Sequence, residues 1–398
     1  MRIGHYAFEP WAPGGIGSYI RRLARAQRER GDDVVLLAGE PPPEAVDASD
    51  VYVTGDGPAV FSTAEALHLD VLHLHRPVQV LPPDRVPTVR TMHGNQGSCP
   101  AGSRFLKRTE TPCNRTPGLG TCLWGHLVDH CGSRRPHNMA ANLSGFRHEQ
   151  RLSRQLPTMT VSQFVHDAMV DAGSPPAQLH VVHSPAPKRN APPLPPPRQT
   201  PRFAFVGRIE PNKGVDWFLR AVKRCSLPLQ VDIAGTGTEQ YVDFIKRRIG
   251  ELGLSEQVTM HGWLSEAEVN AVYQNAWGVV VPSLWHEPAG LVTLEAAASG
   301  RAVLASRVGG IPEYADPSFA LLSDPGDVGA LSRDLTSLAQ NWDRAWTLGQ
   351  AGFELMQNRF SFDVFLRKID EVYALAMNSD TTLRSTPSTS DLEGVEVE

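Results

Sequence analysis

The sequence predicts an α/β protein of two doubly wound domains built on parallel sheets, and three observations carry that expectation. A strand, a helix and a second strand follow one another within the first forty residues. A proline-rich run, SPAPKRNAPPLPPPRQTP, occupies 184–201. The alternation of strand and helix then restarts at once and persists through Ser306.

Taken in order, Met1–Ala7 reads as a strand and Ala12–Gly17 as a turn. Ser18–Arg30 carries Ile20, Leu23, Ala24 and Gln27 at helical spacing, and Gly31 stops it. Val34–Ala38 has the continuous apolar character of a buried parallel strand. Further strands are expected at Val51–Val53, Val71–His75, Thr88–Met92 and Met159–Val161. Beyond the proline run, strands are expected at Phe203–Val206, Leu229–Ala234, Val258–His261, Gly278–Pro282 and Val303–Ser306. Helices at Gly214–Arg224, Glu239–Leu252, Glu266–Gln274 and Leu291–Ser299 separate them, and the remainder reads as mainly helical to about Asn378. Proline lacks the N–H that a helix interior or central strand requires, so the run at 184–201 reads as an extended, semi-rigid spacer.

The domains expected are therefore 1–184, a linker at 185–201, and 202–360. A C-terminal helix at 361–378 would pack back on the first domain, and a tail at 379–398, rich in Ser, Thr and acids, would be disordered. Two such domains would turn the carboxyl ends of their strands toward one cleft, where ligands of open α/β sheets bind.

Composition narrows the class. Among 398 residues, 41% are hydrophobic and 20% charged, with 38 Lys+Arg against 43 Asp+Glu. That balance argues against a dedicated nucleic-acid binder, which carries a strongly basic domain. No apolar run approaches the ~18–20 residues that cross a bilayer, and the first residues lack the apolar segment of a secretory signal. The expected location is cytoplasmic. Nine Arg or Lys against three Asp or Glu between Arg104 and Arg154 leave two readings open. One is a solvated face; the other is an anionic acceptor or peripheral docking on the acidic inner face of a membrane.

The residues that carry chemistry lie mainly in the second domain. In VPSLWHEPAGLVTLEA, 281–296, a strand ends, a loop follows, and a helix opens near Gly290. Amides at such a helix start suit a phosphate. Glu287 precedes the helix and Glu295 lies inside it, about two turns along from Glu287, so the two carboxylates reach different parts of one extended ligand. In FVGRIEPNKG, 205–214, Arg208 and Lys213 flank a turn into a helix and suit a diphosphate. Either stretch alone reads equally as solvated surface.

Together they resemble the retaining GT-B glycosyltransferases of family 4, the glycosyl transferases group 1. Gly207-Arg208 with Lys213-Gly214 matches that family's Gly-Arg-x4-Lys-Gly turn, and Glu287 with Glu295 its two glutamates with seven residues between them. EAAASGRAV at 295–303, GGIPE at 309–313 and PGGIG at 13–17 extend the likeness over nearly the whole chain. The resemblance implies two Rossmann-like domains facing a cleft. It implies that Arg208 and Lys213 hold the donor diphosphate with backbone at Gly207, Ala289, Gly290, Leu291 and, from the first domain, Gly15. Glu295 would bind ribose, Glu287 the donor sugar, and Gly262 and Trp263 would meet the base. His93 would line the junction of donor sugar and acceptor, although Gly94 follows it where the family has Asp. Ala289 replaces the usual Phe, and Ser162 ends another strand on the cleft side.

The implied reaction moves a sugar from a UDP- or GDP-linked donor to a hydroxyl of a glycan, lipid-linked or small-molecule acceptor. No Asp-x-Asp motif is present, and no cofactor is expected for catalysis. The alternatives are a sugar phosphorylase or sugar-phosphate synthase on the same fold, or a non-catalytic glycan-binding relative. Cys99, Cys113, Cys122 and Cys131 stand at spacings of 13, 8 and 8 residues, beside His126 and His130. Unliganded thiols, a structural zinc and disulfides are all open for them.

Overall fold

The computed structural model describes residues 1–383 except 13, 44–48, 190 and 226. Pro13 of the first-domain motif and residues 384–398 of the expected tail thus lie outside the described residues. In chain order the first part of the fold is β1 (Arg2–Ala7), α1 (Gly15–Glu29), β2 (Asp33–Ala38), β3 (Val51–Val53), α2 (Ala59–Ala66), β4 (Val71–Leu74) and β5 (Thr88–Met92). A short hairpin, β6 (Phe105–Leu106) and β7 (Thr111–Pro112), comes next, then α3 (Leu119–Leu127), α4 (Pro136–Gln155), β8 (Thr158–Thr160), α5 (Gln163–Asp171) and β9 (Leu179–Val181).

After the proline run come β10 (Arg202–Val206), α6 (Val215–Arg224), β11 (Gln230–Ala234), α7 (Glu239–Glu251), β12 (Val258–Gly262), α8 (Glu266–Asn275) and β13 (Gly278–Val281). The chain closes with α9 (Leu291–Ala298), β14 (Ala302–Ser306), α10 (Ile311–Tyr314), β15 (Ala320–Ser323), α11 (Val328–Ala339), α12 (Trp342–Arg359) and α13 (Phe362–Leu383). One sheet runs β3-β2-β1-β4-β5-β8-β9 and the other β12-β11-β10-β13-β14-β15.

The second sheet is parallel along all its ladders, and strand periodicity explains how it is covered. Phe203 and Phe205 of β10, Val280 of β13 and Ala302 and Leu304 of β14 join one apolar cluster, with Trp217 and Phe218 of α6. Ala204, Val279, Val281, Val303 and Ala305 join another, with Tyr314 and Phe319. Successive residues point to opposite faces, so both faces are buried, as a parallel sheet requires.

Contact density divides the chain into one unit of 1–91, 155–159 and 367–398 and a second of 92–154 and 160–366. In the first unit, α1 buries Tyr19, Ile20, Leu23, Ala24 and Gln27. Its C-terminal helix segment is tied in by Arg30, which pairs with both oxygens of Asp370 at 2.7 and 2.8 Å.

The second unit contains residues 185–201. Prolines donate nothing but keep their carbonyls, so donors must come from side chains. Trp277 Nε1 donates to the Pro197 carbonyl at 2.9 Å and Trp342 Nε1 to that of Pro196 at 3.0 Å. Buried Arg301 donates to the Leu194 carbonyl at 2.8 Å.

The structure departs from the sequence expectation at two places. The region expected to be helical beyond Ser306 contains β15, whose four residues ALLS pair with β14. So short a run has no period of its own, and the sheet edge decides its conformation. The helix Phe362–Leu383 also runs five residues into the segment expected to lack structure.

Candidate active site

Two loops at the carboxyl ends of β10 and β13 bring the predicted residues together. After β10, Pro211–Lys213 forms a single 3₁₀ turn, and the Leu284 amide donates to the Asn212 carbonyl at 2.8 Å, joining the two loops. Gly214 closes the turn at φ 70° and opens α6, where a Cβ would sit 1.8 Å from the Pro282 carbonyl oxygen. Only glycine allows that approach.

Lys213 pairs through Nζ with Glu287 Oε1, and its ammonium lies 5.1 Å from the Trp285 ring centroid. Ser283 Oγ donates to the same Glu287 oxygen at 2.8 Å. The Glu287 carbonyl accepts from the Gly310 amide at 2.7 Å. Gly309, at φ 60°, has no room for a Cβ, which would fall 2.4 Å from that carbonyl oxygen.

Gly290 caps α9 without a side-chain hydrogen bond, leaving the opening amides of the helix for an anion. Glu295 lies inside α9 and accepts from the Tyr273 hydroxyl at 3.4 Å. Arg208 pairs with Glu210 at 2.8 Å, with its side chain 63% exposed. The described second unit thus carries a guanidinium, an ammonium, two carboxylates and a helix N-terminus, of which the ammonium of Lys213 and the carboxylate of Glu287 are in contact.

The 286–290 loop is held by partners that sequence reasoning missed and by Ser162, which it placed only at a strand end. Asn95 Nδ2 donates to the His286 carbonyl at 2.8 Å, placing the loop that carries His93 beside that of Glu287. His286 Nε2 lies 2.7 Å from Asn114 Oδ1, and its ring stacks on Phe164 at 4.8 Å. Burial, with the charge of Arg104, lowers the His286 pKa to about 4, so the imidazole is neutral near pH 7. Ser162 Oγ donates to the Pro288 carbonyl at 2.6 Å while accepting from Val165 at the start of α5. Ser162 therefore holds the loop rather than facing open space.

Glu313, in the GGIPE motif, accepts from the amides of Gln163 at 2.7 Å and Phe164 at 2.8 Å and lies 2.8 Å from His183 Nε2. Burial pushes its carboxyl up, but these donors outweigh burial and hold it below the usual carboxylate range. At β12, Gly262 adopts φ 72° and Trp263 is 69% exposed. Gly15 opens α1 in the first unit.

A second polar group is buried in the first unit. His5, His73 and His75 bring ring nitrogens within 4.8 Å of one another. One proton arrangement satisfies the set with every imidazole neutral. His75 donates to His5, His5 to Gln27, Gln27 to Tyr373, Tyr373 to His73 and His73 to Thr91. With each ring already engaged, the group reads as a hydrogen-bonded core and not a cation site.

The model of the glycosyl transferases group 1 family matches residues 188–354, the part of the chain that holds these loops. Over those residues the chain is similar to that family. The chain is 27% identical over 92% of its length to MMP alpha-(1->4)-mannosyltransferase of Mycolicibacterium hassiacum, 95% of which is covered. It is 42% identical to D-inositol 3-phosphate glycosyltransferase of Mycolicibacterium smegmatis over 32% of this chain and 30% of that one. Among solved structures, sucrose-phosphate synthase of Thermosynechococcus elongatus matches at TM-score 0.72 and 20% identity, covering 95% of this chain and 99% of that one. HepE of Anabaena, solved with UDP-glucose, matches at 0.68 and 16% identity over 94% of this chain and 100% of that one. The fold is thus GT-B, with two Rossmann-like domains, as the sequence implied.

Proposed function

We propose that this glycosyltransferase moves a sugar from a UDP- or GDP-linked donor to a hydroxyl of a glycan, lipid-linked or small-molecule acceptor, with retention of configuration and without a catalytic metal. The observation that carries this reading is the joining of the Lys213 turn, the Glu287 loop and the uncapped start of α9 in one place. Breaking a sugar–phosphate bond leaves negative charge on the departing diphosphate. Arg208, Lys213 and the α9 amides stabilise that charge where it develops. Lys213 has three donor hydrogens, so it keeps Glu287 in place while reaching the diphosphate.

Glu287, oriented by Lys213 and Ser283, receives the donor sugar, and Glu295 the ribose. Gly262 and Trp263 flank the base. His93, its loop pinned through Asn95, borders the acceptor hydroxyl. That hydroxyl attacks on the face the phosphate leaves, and a phosphate oxygen takes its proton. Binding of UDP-glucose by HepE, at the level of fold, supports a nucleotide-sugar donor.

The acceptor side is read from the segment 104–154. In α3 the exposed residues Leu119, Leu123, Trp124 and Leu127 form one apolar face, flanked in sequence by Lys107, Arg108, Arg134 and Arg135. An apolar face with basic neighbours supports peripheral contact with an acidic membrane. No helix among the described residues is long and apolar enough to cross one.

The test is a panel of UDP-, GDP- and ADP-sugars scored for release of the nucleoside diphosphate with mixed acceptors. One nucleotide should also raise the melting temperature, by the equivalent of ~2.7 kcal/mol at 100 times its Kd. Absence of turnover and of thermal shift with every nucleotide ends this reading.

A further inference from the structure

Cys99, Cys113, Cys122 and Cys131 come from four separate places in the chain and line one cavity. Cys99 precedes β6 and Cys113 follows β7, Cys122 lies in α3, and Cys131 follows it. All four are reduced. The cavity they share with His126 measures about 30 Å³, the size of a single ion or water and too small for an iron–sulfur cluster. Their backbones are fixed relative to one another. The Cys113 amide donates to the Arg104 carbonyl at 2.8 Å, the Cys131 amide to the Gly125 carbonyl at 3.1 Å, and Ser103 Oγ to the Cys131 carbonyl at 3.0 Å.

From these positions we propose that the four cysteines bind one zinc ion that locks the 99–131 segment.

Two further observations point the same way. The segment also has little apolar packing of its own. Phe105 is buried, whereas Leu119, Leu123, Trp124 and Leu127 are exposed. In α3, Cys122, Gly125 and His126 line the cavity at helical spacing, opposite the exposed apolar residues. A metal would therefore supply the folding free energy that a core does not. No three of the four sulfurs lie within 4.8 Å of one another, so loading draws them inward. Binding releases the thiol protons to solvent and leaves a tetrathiolate beside Arg104 and Arg115, which also line the cavity. His126 Nδ1 donates to the Ser133 carbonyl at 2.9 Å.

The full-length chain, purified under reducing conditions without added metal, should contain about one equivalent of zinc. Cys122→Ser and Cys113→Ser should lose it, whereas Cys225→Ser should keep it. Cobalt exchanged into the wild type should give thiolate-to-metal charge transfer and the visible bands of a tetrahedral ion. Limited proteolysis should cut the 99–131 segment faster after chelation, and zinc should restore resistance. A metal-free protein with all five thiols open to Ellman's reagent, a mass lowered by two disulfides, or iron in place of zinc would each overturn the assignment. If the serine variants do not fold, the metal content and cobalt spectrum of the wild type decide. Loss of the glycosyl-transfer reading would leave this result untouched.

Discussion

Lys213 meets Glu287 and the Trp285 ring while standing at the mouth of a glycine-closed turn. Removing it takes a cation from the leaving diphosphate and leaves Glu287 less oriented. Lys213→Ala should lower kcat/KM by about 10²–10³-fold, as for loss of one oriented transition-state donor. Steady-state kinetics with an unchanged melting temperature will check it. Glu295→Ala should act differently, raising KM for the donor more than it lowers kcat, because a ribose contact is made equally in ground and transition states. Gly214→Ala should fail through the backbone. Its positive φ and a carbonyl oxygen 1.8 Å from the new Cβ should cost about 2–4 kcal/mol, read from a denaturant midpoint. These residues were legible because their combined spacing matches a family's motifs, each stretch alone reading equally as solvated surface. Ser283, Asn95 and Asn114 were not, because hydrogen bonds of this kind carry no spacing signature.

At the level of elements, the strands of the second sheet were readable from short apolar runs bounded by turns. β15 was not, because a four-residue edge strand borrows its conformation from β14. The proline run was recognised as extended, but its anchoring was invisible. Its carbonyls are taken by Trp277, Trp342 and Arg301, which lie far along the chain. Trp277→Phe and Trp342→Phe keep the ring and remove the donor. Each should lower stability by about 1 kcal/mol, and the double variant by roughly the sum, since the two bonds reach different carbonyls. The α3 region was legible only as cysteines and charges. That the cysteines share a cavity while Leu119, Leu123, Trp124 and Leu127 face outward is a tertiary result. Sedimentation with vesicles should show binding that rises with acidic lipid and falls when Leu123 and Trp124 are changed to serine. Equal sedimentation with neutral vesicles would remove the membrane part of the proposed function.

For the whole molecule, the response to acid follows from histidines kept neutral in the fold. Burial lowers the His5 pKa from 6.5 to about 4, against a smaller opposite effect of Gln27. His286 is lowered likewise to about 4. In the unfolded chain both protonate near pH 6.5, so between these values the unfolded state binds more protons. Stability should therefore be full above about pH 6.5 and decline as pH falls toward about 4, by of order 3 kcal/mol for His5. Urea midpoints at about pH 7.5 and about pH 5 should differ accordingly, and His286→Asn should flatten the dependence.

The sequence by itself determined the alternation of strands and helices, the proline break, and the charged and glycine residues of the loops after β10 and β13. Those features are local: they depend on periodicity, on missing N–H groups and on φ values that neighbouring residues impose. The tertiary structure alone decided which distant partners close the network. It set Asn95 and Ser162 on the Glu287 loop, threaded His5, Gln27, Tyr373 and His73 into one chain of donors, and gathered four cysteines round a cavity. Each such contact joins residues far apart in the chain, and a hydrogen bond or a shared cavity leaves no mark on the spacing of either partner.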